Sequence, residues 1–179
     1  LPTAFPNILI NPNQGIAVGM ASNIASFNLR EVCNATIALM KDKNADLSEF
    51  ITGPDFSTGG YLIKNDEAME KIFSSGTGSV RVRAKYNYDK KQNIIEVTEV
   101  PYTATVEAII DKLAELIKGG KLRDINDVRD ETDKSGLKIT LELKRGVDPE
   151  KLMARLFKLT PLEDSFSCNF NVLIDGEPM

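Results

Sequence analysis

Apolar residues recur along this chain with two periods, and the change from one to the other marks out its elements. Between residues 104 and 118, Val106, Ile109, Ile110, Leu113, Leu116 and Ile117 return every three or four positions, one face of a helix that Gly119 and Gly120 stop. Asn28 followed by Glu31 has the spacing of a capping box. It predicts a helix over 28–41 with Leu29, Val32, Cys33, Ile37, Leu39 and Met40 as its apolar side. Asp66 is expected to cap a helix carrying Met69, Ile72 and Phe73. Asp148 and Pro149, as N-cap and first helical residue, open another, with Leu152, Met153, Leu156 and Phe157 inward.

Elsewhere the period is two. In SVRVRAKYNY (79–88), Val80, Val82, Ala84, Tyr86 and Tyr88 take one face, and Arg81, Arg83, Lys85 and Asn87 the other. The polar turn DKKQN leads into IIEVTEV (94–100), so the two runs predict a hairpin with a basic outer face, ended by Pro101. Leu137, Ile139, Leu141 and Leu143 alternate in GLKITLELK, Tyr61–Ile63 is a short strand, and 165–174 closes the chain as another. NADLSEF is a helical turn, and the glycines and proline of TGPDFSTGG make a loop. Strands joined through hairpins, with helices between them, give an α+β fold: a largely antiparallel sheet with helices packed on it.

Composition narrows the chemistry more than the fold. A chain of 179 residues, 42% hydrophobic and 27% charged, can bury one core, or one core with an appendage. No apolar run approaches the ~20 residues of a membrane span, and residues 1–10 lack a basic n-region and a cleavage site. The chain therefore reads as cytoplasmic, with no membrane partner. It has no histidine, which excludes serine-histidine and cysteine-histidine hydrolysis within it. Cys33 and Cys168 fit no metal spacing and are expected to be reduced core residues.

Four stretches carry candidate chemistry. Glu131, Asp133, Ser135, Gly136 and Glu142 have the spacing of a calcium loop, but the first ligand is Glu and a strand pattern stands where a helix should follow, so a turn is expected. SSGTGS (74–79) is glycine-rich, yet a strand rather than a helix follows it, which marks a helix end. Arg81, Arg83, Lys85, Lys90 and Lys91 stand against Asp89 alone in a chain of net charge −4, a solvated strand face or a track for phosphates. In NPNQGIAVGMASN (11–23), Ile16, Ala17 and Val18 occupy the tip of a tight hairpin or loop, with the amides of Asn11, Asn13 and Gln14 beside it. An apolar tip with polar neighbours is a buried glycine turn or a wedge that enters a base step.

Residues 1–32, LPTAFPNILINPNQGIAVGMASNIASFNLREV, resemble a segment of bacterial type IIA topoisomerase A subunits, those of gyrase and topoisomerase IV. GPDFSTGG, GSVRVRAK, EVTEVPYTATVEAIIDKLAELIK, DVRDETDKSGLKITLELKRG and FKLTPLEDSFSCNFNVLIDGEP continue the likeness in order through the chain. There are departures: Asn13 and Gln14 replace a serine pair, Ala25, Ser26 and Phe27 replace two prolines and a histidine, and Thr77 replaces an arginine between two glycines.

The resemblance implies the tower, or shoulder, domain of a DNA gate. It makes residues 1–27 a DNA-contacting segment leading out of an upstream winged-helix domain, 28–165 the α+β tower, and 166–179 a closing strand that starts the connection to a dimer-gate coiled coil. Ile16 would intercalate with Val18 and Met20 packed behind it, and Asn11, Asn13, Gln14, Arg81, Arg83 and Lys85 would lie on double-stranded DNA. The nucleophilic tyrosine of the family follows an arginine upstream; Tyr61, Tyr86, Tyr88 and Tyr102 do not. The implied parent is an A-subunit dimer joined to B subunits that supply Mg2+ and ATP, while this fragment holds no catalytic residue, metal or cofactor. The alternative is a non-enzymatic α+β nucleic-acid-binding module that works through its basic hairpin.

Overall fold

Two of the three caps expected from the sequence, Asn28 and Asp148, close as hydrogen bonds, and that fixes where their helices begin. The computed structural model describes residues 3–179; Leu1 and Pro2 of the opening segment lie outside it. In chain order it forms β1 (Asn13–Ala17), β2 (Met20–Ile24), α1 (Leu29–Lys41), β3 (Tyr61–Ile63), α2 (Asp66–Ser75), β4 (Thr77–Arg83), β5 (Lys85–Asp89), β6 (Ile94–Glu99), α3 (Val106–Lys118), β7 (Ile125–Asp130), β8 (Ile139–Leu143), α4 (Pro149–Leu159), β9 (Glu163–Asn169), β10 (Leu173–Ile174) and β11 (Glu177–Pro178). Short 3₁₀ turns stand at Asn7–Leu9 and Leu47–Glu49. The fold is α+β, but the strands make two main sheets where one was expected, ordered β1-β2-β9-β4-β3 and β5-β6-β8-β7, beside the small pair β10-β11.

The second sheet exists because the run 79–88 is not one strand. It breaks at Ala84, which is buried and donates its N–H to Leu162 O at 2.7 Å. Val80 and Val82 before the break are as buried as Ala84, so the alternation runs on through a change of sheet. Only the second half forms the expected hairpin, with Tyr86 opposite Val97 and Asp89 opposite Ile94.

The chain divides into two compact units, Leu1–Ser57 with Leu62–Val80 and Ser165–Met179, and Thr58–Tyr61 with Arg81–Asp164. In the latter, Ile95 and Val97 of β6 and Ile139 and Leu141 of β8 pack with Ile109 and Leu113 of α3 and Leu152, Met153 and Leu156 of α4. Each fully buried large aliphatic contributes about 1.5–3 kcal/mol. Asp148 caps α4 by accepting from the N–H groups of Glu150 and Lys151. The strand β7 was not expected. A bulge between Ile125 and Asp127 puts its inward residues, Ile125 and Val128, three apart, which hides the period of two.

In the other unit Asn28 caps α1, accepting from Arg30 N at 3.0 Å. Glu31 does not complete the capping box; its carboxylate accepts from Thr52 N and Oγ1 instead. Of the expected apolar side only Val32 is buried, together with Ala35, while Leu29, Ile37 and Met40 are exposed and Cys33 is half-exposed. The cap of α2 is Asn65, not Asp66, because the Asn65 side chain reaches Ala68 N. The closing strand ends at Asn169, earlier than expected, and Leu173–Ile174 turns back on Glu177–Pro178. No helix among the described residues is long and apolar enough to cross a membrane.

Candidate nucleic-acid interface

The opening stretch is a two-stranded hairpin whose register runs from Asn13 opposite Ile24 to Ala17 opposite Met20. Val18 and Gly19 make the turn, and Gly19 has φ 76°, the left-handed region that a side chain disfavours. Paired residues share a face, so Gln14 and Ile16 lie with Asn23 and Ala21, and Asn13 and Ala17 lie opposite with Ile24 and Met20.

Ile16 is 86% exposed and Val18 wholly so. Val18 and Met20 do not pack behind Ile16: the turn carries Val18 out into solvent, and the register puts Met20 on the other face. Asn11, Asn13 and Gln14 are exposed, and their side-chain amides have no hydrogen-bond partner among the described residues. These five expected residues therefore share one hairpin and its entry.

Arg81 and Arg83 end β4 and Lys85 begins β5. All three are paired. Glu163 gives one carboxylate oxygen to Arg81 and the other to Arg83 Nε, the latter at 2.6 Å, and its side chain is only 6% exposed. The Arg83 guanidinium also lies over the Phe157 ring, Cζ to centroid 4.6 Å. Together with Tyr86, Glu150, Ala154 and Lys158 these residues line an open groove of about 490 Å³. Burial first, and the charge of Glu150 second, push the Tyr86 phenol up. Lys85 Nζ is 3.3 Å from Glu99 Oε1, and Glu99 Oε2 accepts from Gly60 N at 2.6 Å. That Gly60 N–H is the main reason the Glu99 carboxyl sits below its ordinary range. A side chain at Gly60 would meet Arg83 O at 2.9 Å, so glycine is needed for this approach.

Lys90 and Lys91 stand on the exposed turn after β5 and have no ion pair among the described residues. In the loop of calcium-like spacing, Glu131 accepts from Thr140 Oγ1 and Arg129, Asp133 Oδ1 accepts from Ser135 N, and Glu142 accepts from Asn126 and Arg129. Each of these acids is thus engaged by neighbours. Among the described residues no group of three or more His, Cys, Asp or Glu is placed to hold a metal ion. Gly76 closes α2 with φ 67°, and β4 begins at the next residue, so SSGTGS is a helix end as expected.

Over residues 1–179 the chain matches the family of DNA gyrase/topoisomerase IV A subunits. It belongs to this family. It is 44% identical over 185 residues to the DNA gyrase A subunit of Ureaplasma parvum, covering 100% of this chain and 22% of that protein. To the DNA gyrase A subunit of Borreliella burgdorferi it is 42% identical over 184 residues, 99% of this chain and 23% of the relative. A chloroplastic/mitochondrial DNA gyrase A subunit of Nicotiana benthamiana is 40% identical over 186 residues, with 99% and 20% covered. The chain spans less than a quarter of the length of these relatives.

Proposed function

We propose that this chain is the DNA-bending tower part of a type IIA topoisomerase A subunit, within a cytoplasmic, ATP-dependent enzyme that passes one duplex through a transient break in another. The exposure of Ile16 and Val18 at a hairpin tip carries the reading: two bare β-branched aliphatics at the end of an ordered hairpin have no folding role, and a wedge between base pairs gives them one. Ile16 enters the step, Val18 leads it, and the unpaired amides of Asn11, Asn13 and Gln14 donate to phosphates on either side of the kink. Bending a site of this kind costs on the order of 1–6 kcal/mol, offset by the contacts that the bend permits.

Arg81, Arg83 and Lys85 supply the backbone grip. Glu163 and Glu99 neutralise part of their charge, which weakens the alternative in which the basic hairpin alone binds nucleic acid. Residues 1–27 form the DNA-contacting entry from the winged-helix domain, 28–165 the tower, and 166–179 the start of the connection to the dimer gate. Strand cleavage belongs to a tyrosine outside this chain. Mg2+ and ATP belong to the B subunit, in an assembly built on a dimer of A subunits.

The test is DNA bending by energy transfer on an end-labelled duplex, with the full-length A subunit joined to its B subunit, against the same complex carrying Ile16→Ala. Bending should fall far more than binding. Equal bending in both would end the wedge reading and leave the stretch a structural turn.

A further inference from the structure

A wedge works only if its mount does not yield, and the hairpin is thinly mounted by its backbone. The strand β1 is an edge strand, and β2 meets β9 through one registered pair, Asn23 with Asn169. Two-stranded hairpins are marginal by themselves. What extends the anchorage outward is a set of side chains from the end of β9. Asn169 Nδ2 donates to Ala21 O at 2.7 Å, and Asn171 Nδ2 donates to the same oxygen at 2.6 Å. Asn171 Nδ2 also reaches Asn169 Oδ1 at 3.2 Å, which ties the two amides together. From the hairpin side, Ser22 Oγ donates to Asn171 O at 2.9 Å and Asn23 Nδ2 to Ser167 O at 2.6 Å.

Ala21 is the cross-strand partner of Ile16. Both lone-pair positions of its carbonyl are thus occupied by amides from about 150 residues downstream, at the residue opposite the exposed isoleucine. Edge-on contact between Phe170 and Phe27, centroids 6.0 Å apart, holds the residue between the two asparagines to the residue just before the α1 N-cap. The two amides that reach the Ala21 carbonyl come from outside the hairpin.

We propose that Asn169 and Asn171 are positioning residues for the Ile16 wedge: they clamp the Ala21 carbonyl so that the load of bending DNA passes from the tip into β9. The proposal rests on the wedge reading above. It requires neither asparagine to touch DNA.

The experiment compares, in the full A and B assembly on the doubly labelled duplex, the wild type with Ile16→Ala, Asn169→Leu, Asn171→Leu and the double leucine variant. Leucine keeps the size of asparagine and removes the donor. The expected result is a severalfold loss of the bent fraction at saturating protein in the double variant and a smaller loss in each single one. DNA affinity should stay within about threefold in each variant, and the thermal midpoint of the singles should be unchanged. Loss of bending in Ile16→Ala with normal bending in every leucine variant would overturn the clamp and leave the wedge standing. Bending lost only in step with affinity and thermal midpoint would make the asparagines ordinary structural residues, which also overturns it. Normal bending by Ile16→Ala would remove the wedge and the clamp together. Should the double variant fail to fold, the two singles carry the same comparison.

Discussion

Arg83 Nε donates to Glu163 Oε2 at 2.6 Å, and the other oxygen of that carboxylate takes Arg81. One nearly buried anion therefore holds two guanidiniums that are 40% and 60% exposed. Glu163→Gln removes the charge and keeps the shape. Water can solvate the released cations, so the loss of stability should resemble that of a charged hydrogen bond, about 1–3 kcal/mol by urea denaturation. The freed arginines should also steepen the salt dependence of DNA binding, by up to about 0.9 per arginine in the log–log slope. An unchanged slope would mean that these arginines never meet phosphate.

The two glycines of the hairpin should respond differently. A side chain at Gly15 meets only Ser22 Cβ at 4.0 Å, whereas Gly19 has open space but φ 76°. Gly15→Ala should be nearly neutral. Gly19→Ala should loosen the turn by about 1–2 kcal/mol of backbone strain, and Gly19→Asn by less. Amide hydrogen exchange at Ala17 and Met20, the hydrogen-bonded pair that flanks the turn, reads this directly: faster in Gly19→Ala and unchanged in Gly15→Ala.

The cysteines should separate by reactivity. Cys168 is buried and its thiol is pushed up to about 11 by that burial, while Cys33 is half-exposed. In native protein at pH 8 a thiol reagent should label Cys33 and spare Cys168, and the second thiol should appear on unfolding. The sign of the linkage follows. The folded state holds this proton more tightly than the unfolded state, so the contribution of Cys168 to stability is intact below about 9 and is lost as pH rises toward about 11. Denaturation followed between these limits should show stability falling, and falling less in Cys168→Ala.

Asp148 accepts from two N–H groups at the start of α4, and the core face of that helix contains Leu152, Met153 and Leu156. Asp148→Ala should cost about 1 kcal/mol, measured as a lower urea midpoint, and Asp148→Ser should recover most of it. A loss well above this would mean that the carboxylate does more than cap.

The helices were legible because their caps and periods are local. Asn28 and Asp148 lie within a few residues of what they satisfy. Asn65 and Asp66 are both good caps, and only the backbone decided between them. The break at Ala84 was hidden because the inward parity continues through it, and β7 because its bulge destroyed parity. At the candidate site, the exposed tip of NPNQGIAVGMASN was readable as a pattern. The partners of the basic residues were not. Glu163 lies about 80 positions from Arg83, so the charge excess that the local sequence shows is offset by groups that only the fold brings near. Asn169 and Asn171 stand two apart where β9 ends, and no local rule points from them to Ala21.

The first helix carries a consequence for how the chain behaves as a material. Leu29, Cys33, Ile37 and Met40 fall at spacings of four, four and three, a single stripe along α1 that water touches throughout. Hydrophobic attraction strengthens on warming and with excluded salts such as sulfate. This stripe adds to the bare hairpin tip as an adhesive surface on a piece of net charge −4: its solutions should scatter more light when heated below the unfolding transition, and clear again when cooled.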